Sequence, residues 1–165
     1  MTADYETQFH NLIQDISSDE KTIQMKNYIQ HGNITTYDHC MRVAHLAFTL
    51  RTNLKIDCSD EELIRGAFLH DYFLYDWHGF EQEADPDWIL PARHLYHFFH
   101  MHGFTHPATA LSNADRDFTL TEKECQIIRT HMWPLTLFHP PTSKEGFLVC
   151  TADKLVSLHE TVMLR

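Results

Sequence analysis

Apolar residues recur at three- and four-residue intervals along most of the chain, while alternating or β-branched runs are few, which is the period of helices with one buried face. An all-α fold follows, a single compact helical bundle. Tyr5, Phe9, Leu12, Ile13 and Ile16 mark a first helix, and Ser17 with Glu20 reads as a capping box for a second that stops at His31-Gly32. Thr36 is placed to cap a longer helix with Val43, Ala44, Ala47 and Leu50 on its apolar face and His39 in its first turn. Ser59 and Glu62 form a further capping box, opening a helix through Leu63, Ile64, Ala67 and Phe68 that arrives at His70-Asp71.

From Tyr72 to Pro91 the pattern gives way to aromatics, acids and prolines, the composition of an ordered loop walling a cleft. A helix is expected over Arg93 to His102, ending at Gly103. Pro107 then suits the first position of the next helix, which leaves His106 at its amino end. Thr121 and Glu124 make a third capping box for a helix reaching His131 and Met132, and Pro134 breaks it. Ser143 caps the last helix, whose buried side is expected to carry Phe147, Cys150, Ala152, Leu155 and Leu158, with Asp153 in the middle.

The chain has 165 residues, 43% hydrophobic and 22% charged, which fits one globular unit with a real core. Its formal charge of −10 repels polyanions, so neither a nucleic-acid polymer nor an anionic membrane surface is an expected partner. No apolar run reaches membrane-spanning length and the first residues lack the pattern of an export signal, so a cytoplasmic location is expected. Cys40, Cys58, Cys125 and Cys150 lie far apart with no C-x-x-C pair and read as reduced thiols. Histidine is the outstanding feature: 14 of them outnumber the 13 lysines and arginines together.

Six residues stand where helices begin, end or bury a face: His39, His70, Asp71, His106, His131 and Asp153. Four imidazoles and two carboxylates form a mixed N/O set that suits divalent iron, manganese, zinc or nickel. Asp153 is the sharpest of the six, because an unpaired carboxylate on an apolar helix costs several kcal/mol, about the range for an uncompensated buried ion. Lys154 leaves the helix about 100° away, a poor direct partner for it. His94, His97, His100 and His102 recur with no carboxylate alongside and read as a solvated or supporting face, as does His45. Tyr72, Phe73, Tyr75, Trp77 and Trp88 could complete a core or stack on a base.

In Tyr37-Asp38-His39-Cys40-Met41-Arg42-Val43-Ala44, Leu69-His70-Asp71 and Thr151-Ala152-Asp153-Lys154 the sequence resembles the HD-domain superfamily of metal-dependent phosphohydrolases. The resemblance implies an HD domain over residues 35–162, with residues 1–34 as N-terminal helices packing on it. It assigns His39, His70, Asp71 and Asp153 to one metal. Gly103-Phe104-Thr105-His106-Pro107 and Arg129-Thr130-His131-Met132-Trp133-Pro134 look like the extra ligand segments of the subset that binds two, with Asp71 bridging. Only Asp76 follows the HD pair where the alarmone-cleaving branch carries two acids, a departure from that branch.

The activity so implied is hydrolysis of a small anionic phosphate ester or anhydride, a nucleotide or dinucleotide, by a metal-activated hydroxide. Two divalent ions per chain are implied, with iron, manganese, nickel, zinc and magnesium all open. Asp71 would be catalytic as the bridge, and Arg42 and Lys154 would offset phosphoryl charge. The alternative is a diiron oxygenase of the same superfamily, which uses the same six ligands to oxidise a C–H bond. A ligand sensor without turnover is the non-enzymatic reading, and oligomeric state is left open.

Overall fold

In the computed structural model, which describes residues 3–75 and 102–163, the chain opens with α1 (Ala3–Ser17), whose Tyr5, Phe9, Ile13 and Ile16 are buried as their spacing requires. The next segment departs from expectation. Asp19, not Ser17, accepts the capping hydrogen bond, from the Lys21 amide at 2.8 Å. The helix it starts, α2 (Glu20–Ile23), lasts one turn and passes through a 3-10 turn (Gln24–Asn27) into antiparallel strands β1 (Ile29–His31) and β2 (Ile34–Thr35). Gly32, read from sequence as a helix stop, turns this hairpin at φ 55°. A left-handed glycine serves a helix end and a hairpin turn equally well, so the residue alone does not separate them.

Helix α3 (Thr36–Asn53) begins at its predicted cap and is capped one residue earlier, because Thr35 is the residue whose side chain accepts from the Asp38 amide. Its inner face buries His39, Cys40, Val43, Ala44, Ala47 and Phe48. Ser59 caps α4 (Asp60–Leu69) as the sequence predicts, and α4 buries Leu63, Ile64, Ala67, Phe68 and Leu69. Helix α5 (His102–Asp117) includes Pro107 inside it, not at its first position, since the helix starts ahead of His106. The capping box of Thr121 and Glu124 is present in full on α6 (Glu122–Thr130). Ser143 accepts from the Gly146 amide at 3.0 Å to start α7 (Lys144–Met163).

The core lies where α3 packs against both α4 and α7, with α6 against α4 and α1 closing one side. Among the described residues the fold is all-α apart from the small hairpin. Helices α4 and α6 approach closely: a Cβ on Gly66 would lie 2.8 Å from Ile127 Cδ1. Both helices stop at a histidine, α4 at His70 and α6 at His131.

The buried side of α7 differs from the predicted one. Leu148, Val149, Cys150, Ala152, Asp153, Val156 and Glu160 face inward, whereas Phe147, Leu155 and Leu158 are exposed. Apolar periodicity misplaces this face because the inward side carries three carboxylates, Glu145, Asp153 and Glu160, and the outward side several hydrocarbons. The helix predicted over Arg93 to His102 lies outside the described residues up to position 101, as do Asp76, Trp77, Trp88, His94, His97 and His100. Among the described residues no helix is long and apolar enough to cross a membrane.

Candidate metal centre

Two helix ends and positions within three further helices deliver the six candidate side chains to one buried place. His70 caps the carboxyl end of α4, one residue past Leu69, and Asp71 follows it; both side chains are buried. His131 occupies the same position at the end of α6, His39 and Asp153 come from the inner faces of α3 and α7, and His106 comes from α5. All six are buried.

Their atoms fall into two sets. Around Asp71 Oδ2 lie His70 Nε2 at 3.4 Å and His39 Nε2 at 3.8 Å, and Asp153 Oδ1 closes the group at 3.4 Å from His39 and 3.8 Å from His70. Around Asp71 Oδ1 lie His106 Nε2 at 3.2 Å and His131 Nε2 at 3.4 Å, with 2.8 Å between the two imidazole nitrogens. One carboxylate therefore faces four histidines, two through each oxygen.

The far nitrogens fix which atoms point inward. His70 Nδ1 donates to the Ala67 carbonyl at 2.7 Å and His131 Nδ1 to the Ile128 carbonyl at 2.8 Å. A carbonyl only accepts, so each Nδ1 carries a proton and each Nε2 faces the centre, where it offers a lone pair whenever the ring is neutral. His39 Nδ1 donates in the same way to Glu160 Oε2 at 2.8 Å. Such outer hydrogen bonds are what ligating histidines make. His70 Nε2 and Asp71 Oδ1 are buried without a hydrogen-bond partner, a costly arrangement unless a cation receives them. The donor set and these atoms fit a divalent metal pair: His39, His70, Asp71 and Asp153 would hold one ion, and Asp71, His106 and His131 the other.

Electrostatics point the same way. Burial by itself would raise the Asp71 and Asp153 carboxyls, but the surrounding imidazoles overcome it and hold both well below the usual carboxylate range. Burial lowers His131, which keeps that ring neutral. Burial also opposes charge on His70, yet Asp71 and Asp153 outweigh it and raise that histidine well above its ordinary value. Without a cation, protons shared among these rings answer the two carboxylates.

Arg42 and Lys154 sit at the edge. Arg42 Nη1 donates to Glu160 Oε1 at 3.0 Å, and so reaches His39 only through that carboxylate. Lys154 Nζ donates to the His131 carbonyl at 2.9 Å and stands 3.5 Å from Asp153 Oδ2. The predicted divergence of neighbouring side chains on the helix is overcome by the long lysine stem curling back. His45 is a supporting residue away from the centre, paired with Glu6 at 3.2 Å.

Two residues of the centre are missing from the sequence reading. Glu160 follows Asp153 by seven positions, two helical turns, so a second carboxylate on the same face was a usable signal. Gln30, buried on β1, donates to Asp71 Oδ2 at 2.7 Å, and no spacing pattern marks it.

Neither the curated proteins nor the solved structures contain a significant match to this chain. The family model for the HD domain matches residues 36–158, from the start of α3 to within α7, and so takes in all six residues of the centre. With most of its length matched and its histidines and aspartates gathered in one buried cluster, the chain belongs to the HD-domain family, whose members are largely metal-dependent hydrolases.

Proposed function

We propose that this chain is a metal-dependent phosphohydrolase acting on a small phosphate ester or anhydride of the nucleotide or dinucleotide class. The observation that carries the reading is the division of Asp71, whose two oxygens each face a separate pair of imidazoles at 3.2–3.8 Å. A carboxylate so placed spans two ligand sets. When bound, a pair of divalent cations supplies Lewis acidity, lowering the pKa of water and offsetting the charge of phosphoryl oxygens.

The protein's own groups do the remaining work. Ala67, Ile128 and Glu160 hold three imidazoles in the orientation that presents Nε2. Gln30 fixes the Asp71 carboxylate through Oδ2. Lys154, partly exposed beside Asp153, is the cation placed to meet an anionic substrate, while Arg42 steadies Glu160 and through it His39. Among the buried thiols, burial pushes Cys40 up and Cys150 up to about 11, so neither is a thiolate at neutral pH and the nucleophile falls to water. In a chain of net charge −10, attraction of a phosphorylated substrate must be local to this centre.

The test is elemental analysis of freshly purified protein, followed by parallel assays of phosphate release and oxygen uptake with the metal found. About two cations per chain and oxygen-independent phosphate release are expected. Oxygen-dependent turnover without phosphate release would replace hydrolysis with C–H oxidation by the same ligands. Tight nucleotide binding with no product would make the chain a sensor.

A further inference from the structure

Helix α7 has two faces of opposite character. The inner one carries Asp153 and Glu160 into the metal centre. On the outer one, Phe147, Thr151, Leu155, Leu158 and Val162 repeat at three- and four-residue spacing and fall within about 80° of the helix circumference. All five are exposed, Leu158 by 62% and Val162 by 64%. Isolated exposed leucines need no explanation, but a continuous stripe over four turns does. The stripe continues at its amino end, where Trp133 meets Phe147 edge-on at 5.9 Å. The loop beyond Trp133 exposes Leu135, Leu137 and Phe138, the last by 89%.

Charge narrows the choice of occupant. Two copies of a chain carrying −10 repel each other unless they meet where acids are absent. The exposed side chains from Phe147 to Val162 include no carboxylate, since Asp153 and Glu160 are buried. The one cation at the edge, Lys154, is already folded onto the His131 carbonyl and Asp153. Depletion of charge around an apolar centre is the compositional mark of an interface core.

The spacing, intervals of 4, 4, 3 and 4 residues, is within one residue of reading the same in both directions. Laid antiparallel on itself about the Lys154–Leu155 step, the stripe sets Phe147 against Val162 and Thr151 against Leu158 and brings Leu155 beside its own mate, so every position meets one of the same stripe. This is the self-complementarity a two-fold interface requires. A stable dimer needs about 800 Å² from each copy. Four apolar side chains over four turns supply on the order of half of it, and the apolar loop from Leu135 to Phe138 offers the rest.

We infer that the outer face of α7 is a self-association surface, on which two copies of this chain pair antiparallel about the Lys154–Leu155 step with the loop bearing Phe138 at each end. The arrangement clamps the helix that carries Asp153 and Glu160 from its solvent side and leaves the metal centre on the opposite side. It is independent of the reaction the centre performs.

Sedimentation equilibrium of the full chain tests it. A dimer is expected at concentrations up to about 100 μM. Leu158→Glu is expected to weaken it at least about 100-fold, by burying an unpaired charge at the seam, without loss of helix content or bound metal. Geometry is tested separately by oxidative cross-linking in a Cys58→Ser/Cys125→Ser background. Leu155→Cys should link to its own mate, Phe147→Cys alone should not, and Phe147→Cys/Val162→Cys together should. A wild-type chain that is monomeric throughout, or a dimer that survives Leu158→Glu, would overturn the surface. Self-linking by Phe147→Cys alone would overturn the antiparallel pairing.

Discussion

Glu160 Oε2 receives the Nδ1 proton of His39 at 2.8 Å, while its other oxygen takes Arg42 at 3.0 Å. Burial alone would raise the Glu160 carboxyl, but His39 and Arg42 overcome it and hold it below its ordinary value, so it is an anion facing the imidazole. An anion on Nδ1–H fixes the tautomer and makes Nε2 a better donor. Glu160→Ala is therefore expected to weaken metal binding about 10–100-fold while leaving every direct ligand in place. Glu160→Gln, whose amide oxygen still accepts the proton, should recover part of the loss. Calorimetric titration of metal into the chelated protein measures both. Equal affinity in all three proteins would show that Glu160 does not tune the centre.

The two halves of the centre differ in what their loss removes. His106 and His131 meet Asp71 through Oδ1, whereas Asp71 is shared with His39 and His70 through Oδ2. His131→Ala should reduce the metal count from about two per chain to about one, and Asp71→Asn should reduce it further. Elemental analysis after gel filtration reads the difference. A full complement of metal in Asp71→Asn would rule out the bridging assignment.

Chelation should also soften the fold. Asp71, Asp153 and Glu160 bring three buried carboxylates to within one side chain of each other, and His70 Nε2 has no hydrogen-bond partner. A ligand that binds only the folded state stabilises it by about 4 kcal/mol when present at about 1,000 times its dissociation constant. Wild-type protein is expected to lose several degrees of Tm on removal of metal and to regain them on its return. Asp71→Asn should be nearly indifferent to the same treatment.

The candidate ligand set was legible because its members coincide with punctuation in the sequence. His70-Asp71 ends an apolar helix run, His131 precedes Pro134, and Asp153 interrupts the last helix. The outer partners were less legible, because hydrogen bonds between remote segments leave no local period. Gln30 reaches Asp71 from a strand that sequence reads as helix, and Glu160 binds a histidine 121 residues away. The rotation of α7 has the same origin: a face that buries carboxylates defeats a rule that counts hydrocarbon. Arg42 looked like a free cation beside His39 because Glu160, its partner, was not in view.

Gly66 is where α4 and α6 touch. A Cβ there would stand 2.8 Å from Ile127 Cδ1, 3.0 Å from Cγ2 and 3.1 Å from Cβ, and the last of these cannot swing aside without moving the helix. Gly66→Ala would gain about 1 kcal/mol in helix propensity and is expected to lose about 1–3 kcal/mol through overpacking. Net destabilisation by urea titration is the expected result, together with weaker metal retention, because these helices end at His70 and His131. A more stable Gly66→Ala protein would mean that the helices separate at no cost.

Glu145 offers a pH dependence away from the metal. Its Oε1 accepts from the Ser59 amide at 3.2 Å and from Lys123 Nζ at 2.9 Å, and Lys123 also reaches Glu62 at 2.9 Å, so the starts of α4, α6 and α7 are tied together. Burial would raise the Glu145 carboxyl, but Lys123 and the Ser59 amide hold it below its ordinary value. Because the folded pKa is the lower one, the unfolded chain binds more protons across the interval between the two, and stability rises with pH there. The contribution is complete above the unfolded value of about 4.3 and disappears as pH falls through the folded one. Glu145→Gln keeps an acceptor for Ser59 but loses the charge, which should cost about 1–3 kcal/mol at neutral pH. Carboxylates of the centre add a slope of the same sign to both proteins, so the informative quantity is the difference between them. That difference should be constant from neutrality down to about pH 5 and shrink towards zero below about pH 4. Urea unfolding of both proteins across this range measures it, and a gap that widens towards acid would reverse the sign assigned to Glu145.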